Sequence, residues 1–338
     1  MSDLKLGPVT PAHGSDLVDG QQVLPLLASR VCELARFGSV MISLSRIDQA
    51  VQRRSFSYFK WRANRDFRAK IDPRMRFLLI YQMGKVGSSS VSQHLKNVLD
   101  EWEVFQIHAL TEAGVRRIEE RYRRASTIRT KLLIDRHILE SRYLQPLLGD
   151  PGRGPLKTVS IVRDPVARNI SAFFQTFEVD FAQMYHESGE NASLLNFDVD
   201  ELVNAFLYGS KQFRHEYPLV WFEEELKEAL GIDVYDVPFD HEKGSGSYAN
   251  AGCDLLVVRM EDFSTALTPL LEAFLDTQID DVPRSNTASK KHYSEAYRTF
   301  IESIRLPAEY LDEMYGSRFV SHFYTDKEID EFRNRWSR

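Results

Sequence analysis

Five short apolar runs constrain this chain more than any other feature: Phe77 to Gln82, Val104 to Ile107, Lys131 to Ile134, Thr158 to Val162 and Leu255 to Arg259. They are near-continuous, whereas a strand with one wet face would alternate apolar and polar residues. Each is followed by a stretch with helical spacing, such as Ser88 to Leu99 after the first run and Thr265 to Asp276 after the last. Buried strands alternating with helices predict a parallel sheet covered on both faces.

The remaining segments are read around that sheet. Met1 to about Gly20 is polar with scattered Gly and Pro, which predicts a loose arm. Val23, Leu24, Leu27, Val31 and Leu34 share a helical spacing that predicts a helical extension up to about residue 70. The expected division is therefore an arm with a helical extension over 1–70 and a main domain over 71–338. Within the latter, Asp198 to Leu230 reads as helix. The glycine-rich stretch Asp240 to Gly252 reads as a loop or insertion. Residues from Ser294 onward read as mostly helical, ending in the charged segment Asp326 to Arg338. The fold class expected is α/β: a P-loop-like parallel sheet flanked by helices, with helical N-terminal and C-terminal additions.

Composition narrows the function classes. With 43% apolar and 27% charged residues the chain falls among globular proteins. A net charge of -6 offers no general attraction for nucleic acid, so any anion must be held by a local basic site. Cys32 and Cys253 are too few for a disulfide framework and lack metal-site spacing, which points to a reducing, cytoplasmic setting and to no metal. The opening residues lack the pattern of a signal peptide. No run approaches the roughly 18 apolar residues of a membrane span, so no transmembrane segment is expected.

Two segments carry chemistry. In YQMGKVGSSSV, Tyr81 to Val91, the residues Gly84, Lys85, Val86, Gly87, Ser88, Ser89 and Ser90 stand between a buried strand and a helix. Backbone N–H groups and the positive helix end can converge there on a phosphate. In GxxxxGK[ST] nucleotide loops the lysine follows the last glycine. Here Lys85 precedes Gly87, which puts it at the loop's mouth. The bland alternative is a Gly/Ser turn that only joins strand to helix.

The second segment is TVSIVRDPVARNISAFF, Thr158 to Phe174. Asp164 suits an N-cap and Pro165 a first helical turn. Arg163 then stands at the carboxyl end of a strand, where open α/β sheets bind ligands. Ser171 lies roughly two turns into the helix and could grip the same phosphate. The alternative reading pairs Arg163 with Asp164 and leaves Ser171 on a solvated face.

Together these segments resemble the PAPS-dependent sulfotransferases (PAPS is 3'-phosphoadenosine 5'-phosphosulfate), whose first loop has a lysine or arginine followed by Gly-Ser/Thr-Ser/Thr and whose second motif is Arg-Asp/Glu-Pro with a Ser eight residues after the Arg. Within that superfamily the chain is most similar to bacterial capsular-polysaccharide-synthesis sulfotransferases, through QMGKVGSSS, VRDPVARNISAFF, WFEEELKEALGIDVY, LLVVRMEDF and FYTDKEI. The resemblance covers about Phe77 to the C-terminus. It implies that Lys85 and Gly87 to Ser90 hold the 5'-phosphosulfate, and that Arg163 and Ser171 hold the 3'-phosphate. Lys290 and Lys291 resemble a late basic loop over the nucleotide, or are a solvated basic pair.

Sulfuryl transfer to a hydroxyl needs positive charge at the leaving phosphate oxygen and a base for the acceptor proton. Lys85 suits the first role. His137, after Lys131 to Ile134, and His108, after Val104 to Ile107, are candidate bases at one edge of the sheet, with Asp135 and Glu140 as acidic alternatives. The acceptor expected is a saccharide or polysaccharide, and Trp221, Phe222, Tyr235 and Tyr248 are either sugar-stacking or core residues. The competing class is a P-loop kinase or other nucleotide-binding phosphotransferase, with Asp135 as its magnesium-orienting acid; the order of Lys85 and Gly87 argues against it.

Overall fold

The computed structural model describes residues 65–69, 71–72, 74–124, 136–148, 155–180, 198–210, 213–280 and 294–337. The chain divides into two units, Met1–Ser57 and Tyr58–Arg338, and every described residue lies in the second. The predicted N-terminal arm, most of the helical extension, the Lys131 to Ile134 run, Asp135, Lys290 and Lys291 fall outside the described residues.

Four of the apolar runs and one further strand form a five-stranded sheet in the order β2-β1-β3-β5-β4. Its strands are β1 (Arg76–Tyr81), β2 (Trp102–Ile107), β3 (Leu156–Val162), β4 (Ser245–Ala249) and β5 (Cys253–Arg259). The β2-β1-β3-β5 block is parallel throughout. Phe77 to Tyr81, Thr158 to Val162 and Leu255 to Arg259 are all buried, which is why these strands read as unbroken apolar runs.

β4 corrects two expectations, since it pairs antiparallel with β5 and lies inside the stretch read as a loop. Gly244 serves the turn before it. It takes φ 64°, and the Asp240 carboxylate accepts the N–H groups of Glu242 and Lys243. The sheet is mixed, and mostly parallel.

Helices cover the sheet: α1 (Ser88–Val98), α2 (Glu112–Arg124), α3 (Arg136–Leu144) and α4 (Pro165–Asp180). The predicted helix over Asp198 to Leu230 is broken at Gly209. It becomes α5 (Val199–Tyr208), opened by an Asp198/Glu201 capping box, and α6 (Tyr217–Trp221), which continues through a π-helical turn (Phe222–Lys227) to Leu230. After β5 come α7 (Leu267–Leu275), α8 (Ser294–Ser303), α9 (Ala308–Tyr315), α10 (Arg318–Phe323) and α11 (Asp326–Ser337).

The core is aromatic. Phe173 of α4 packs against Phe174, Phe177, Phe206, Phe213 and Phe300, joining α4 to α5 and α8. Trp221, Phe222 and Tyr248 are buried in this core, and Tyr235 packs edge-on against His322. Trp221, Phe222 and Tyr248 therefore form no sugar platform. Parallel strands leave their carboxyl ends on one edge, so the segments after β1, β2, β3 and β5 meet there.

Candidate active site

The loop after β1 opens that edge. Gly87 caps α1 with φ 81°, a left-handed conformation that suits glycine, and a side chain there would meet Phe263 at 3.2 Å. The first turn of α1 consists of Ser88, Ser89 and Ser90, with no acidic residue and no side-chain cap. Such a helix end, with no carboxylate in its first turn, favours an anion. From β2, the Gln106 amide donates to the Ser88 hydroxyl at 2.9 Å and to Ser89 at 3.3 Å, fixing this turn against the sheet.

The segment after β3 grips the loop from the other side. An Arg163 Nη donates to the Lys85 carbonyl at 2.9 Å, and Arg168 Nε donates to the Gly84 carbonyl at 3.0 Å. In a planar trans peptide the carbonyl and the following N–H point in opposite directions. With both carbonyls drawn to the arginines, the N–H groups of Lys85 and Val86 face away from them. The two segments thus lie against each other.

Asp164 is the N-cap of α4, accepting the Val166 N–H at 2.9 Å. It does not pair with Arg163. Its oxygens also accept the Tyr315 hydroxyl at 2.8 Å and the Trp336 indole N–H at 3.0 Å, and burial raises its pKa. Glu261 accepts the Asp164 N–H at 2.9 Å and the Tyr324 hydroxyl at 3.1 Å, and burial raises its pKa too. Ser171 is half-buried two turns along α4, with no hydrogen bond to Arg163 among the described residues.

His108 and His137 come together, their ring centroids 4.4 Å apart. A Cβ placed on Gly84 would lie 3.9 Å from Cε1 and Nε2 of His108, so the imidazole edge borders the loop. His108 Nδ1 is 3.1 Å from the Gln82 carbonyl, and His137 Nδ1 bonds the Gln106 carbonyl. A carbonyl can only accept, so each Nδ1 carries the proton and Nε2 is the basic atom. Glu140 is instead buried and accepts the Gln106 N–H at 2.6 Å, with Lys96 at 3.8 Å.

α6 braces the turn that carries His108. Trp221 donates its indole N–H to the His108 carbonyl at 3.2 Å. The fully buried Glu225 accepts the Tyr81 hydroxyl at 3.0 Å, the Leu110 and Thr111 N–H groups at 3.2 and 3.3 Å, and the Thr111 hydroxyl at 2.9 Å. Sequence reading did not find Arg168, Gln106 or Glu225 as site residues, and it weighed Trp221 for sugar stacking rather than for bracing His108. Arg168 alone had a local signal, since it lies on the helix that Arg163 introduces.

Residues 195–325 match the model of the NKWYS family, described as "Putative capsular polysaccharide synthesis protein". This stretch is similar to a capsule-synthesis family. No curated protein and no solved structure matched the chain. The matched stretch contains Trp221, Glu225 and Glu261, which brace the site, while Lys85, Arg163 and Arg168 precede it. Among the described residues, no His, Cys, Asp and Glu cluster could hold a metal ion, and no helix is long and apolar enough to cross a membrane.

Proposed function

We propose that this protein transfers a sulfuryl group from PAPS to a hydroxyl of a saccharide or polysaccharide acceptor. The observation that carries the reading is the 2.9 Å bond from Arg163 to the Lys85 carbonyl, which joins two segments suited to phosphate into one surface. The similarity to a capsular polysaccharide synthesis family supports a carbohydrate acceptor.

In this reading Gly84 to Ser90 hold the 5' end of the donor through backbone N–H groups, serine hydroxyls and the end of α1, and Arg163 and Ser171 hold the 3'-phosphate. PAPS supplies the activated sulfuryl group and its phosphate leaving group. Lys85 places a positive charge at the mouth of the loop, where charge develops on the leaving oxygen. Nε2 of His108 or His137 takes the acceptor proton, with its tautomer fixed by a backbone carbonyl.

The product PAP, without metal, should raise the thermal stability of the protein, by about 2.7 kcal/mol at one hundred times its Kd. Sulfate from labelled PAPS should pass into a carbohydrate of a cell extract. Alanine at the true base should abolish this transfer while the PAP effect persists. Stabilisation by ATP with magnesium and none by PAP would overturn the reading in favour of a phosphotransferase.

A further inference from the structure

A cavity of about 200 Å³ lies beside the loop, lined among others by Arg163, Asp164, Met260, Glu261 and Arg335. Two cations and two acids line it, so net charge does not select its ligand; what matters is which groups the acids' oxygens already engage. Both oxygens of Asp164 are engaged by Val166, Tyr315 and Trp336, and both of Glu261 by the Asp164 N–H and Tyr324. Neither acid forms an ion pair with Arg163 or Arg335 among the described residues. Arg163 gives a hydrogen bond to the Lys85 carbonyl, and the Arg335 guanidinium lies over the Trp336 ring, 4.6 Å from its centroid.

Arg335 is exposed, yet its place is set by its neighbour. Trp336 is fully buried with its indole N–H on Asp164, which fixes the adjacent backbone at the cavity rim. The cavity also adjoins the phosphate loop. Arg163 reaches Lys85, and Met260 Cε lies 3.4 Å from where a Cβ on Gly87 would be. A guanidinium offers five donors in a planar fork that matches the oxygens of a phosphate monoester.

Resting on the PAPS reading, we propose that Arg335 is a further donor-binding residue, framing with Arg163 a cavity for the 3'-phosphate that Ser171 does not line. Neither the Arg-Asp-Pro segment nor the stretch matched to the capsule-synthesis family contains it.

The test is calorimetric binding of PAP and of adenosine 5'-monophosphate to the full chain and its Arg335→Ala and Arg335→Lys variants. Arg335→Ala should weaken PAP about tenfold or more and change the 5'-monophosphate less than about twofold, with Arg335→Lys in between; tenfold corresponds to about 1.4 kcal/mol. Equal PAP affinity in parent and Arg335→Ala, or equal weakening of both nucleotides, would overturn the assignment alone. A parent that binds no PAP would overturn the donor reading and this assignment with it. Should Arg335→Ala lose its fold, Arg335→Gln, which keeps a long polar side chain, replaces it.

Discussion

Lys85 holds φ 78°, a left-handed conformation that costs a residue with a Cβ about 1–2 kcal/mol. Glycine would occupy the position with less strain, and in the proposed function the ammonium is what offsets that cost. Lys85→Gly should therefore be at least as stable as the parent, by up to about 1 kcal/mol, yet lose sulfuryl transfer. Lys85→Ala should lose transfer and keep the strain. Thermal denaturation alongside labelled transfer checks both, and a destabilised Lys85→Gly would show that the loop needs the side chain for its fold. The residue types of this loop and of Arg163 were legible because each is local: a strand, a few glycines and serines, one helix start. Arg168 on the Gly84 carbonyl and Gln106 on Ser88 were not, because hydrogen bonds across strands leave no trace in spacing.

At the scale of elements, α2 and α6 meet where Gly114 lets Glu225 approach. A Cβ on Gly114 would fall 1.6 Å from Glu225 Oε1 and 2.9 Å from the Ala109 Cβ. Helix propensity alone favours Gly114→Ala by about 1 kcal/mol. The collision opposes this and displaces a carboxylate that serves four donors, where overpacking alone costs about 1–3 kcal/mol and each orphaned donor a similar amount. Gly114→Ala should thus destabilise by at least about 2 kcal/mol in urea unfolding and impair the turn bearing His108; a stabilised variant would refute the contact. The parallel strands were legible from their apolar runs because both faces are covered. β4 was not. Its sequence SGSYA is short, and its small residues hide the alternation of a strand at the sheet edge. The single predicted helix over Asp198 to Leu230 missed the break at Gly209, where polar Ser210 continued a plausible helical spacing.

Across the whole molecule, Asp164, Glu225 and Glu261 share one condition: burial raises the pKa of each carboxyl above its ordinary value. Between the unfolded pKa, near 4, and the raised folded pKa, the folded state binds more protons than the unfolded one. Their contribution is therefore fully present at acid pH below the unfolded values and is lost as pH rises through the folded ones, at up to about 1.4 kcal/mol per pH unit for each group. Burial lowers the pKa of His215 and His322, which acts in the opposite sense over part of this range. The test is therefore a difference: from mildly acidic to neutral pH the melting temperature of Asp164→Asn should fall less, or rise more, than that of the parent, and identical pH profiles would contradict the raised Asp164 carboxyl. The α/β layering was readable from the order of runs and helices, but the docking of the last helices on the Arg-Asp-Pro segment was not, since it depends on Tyr315 and Trp336 finding one carboxylate across the fold. Those partners stand 151 and 172 residues beyond Asp164. A chain still emerging from the ribosome therefore lacks the groups that hold this segment in place, and the proposed nucleotide site should be complete only after they have been synthesised and have folded back.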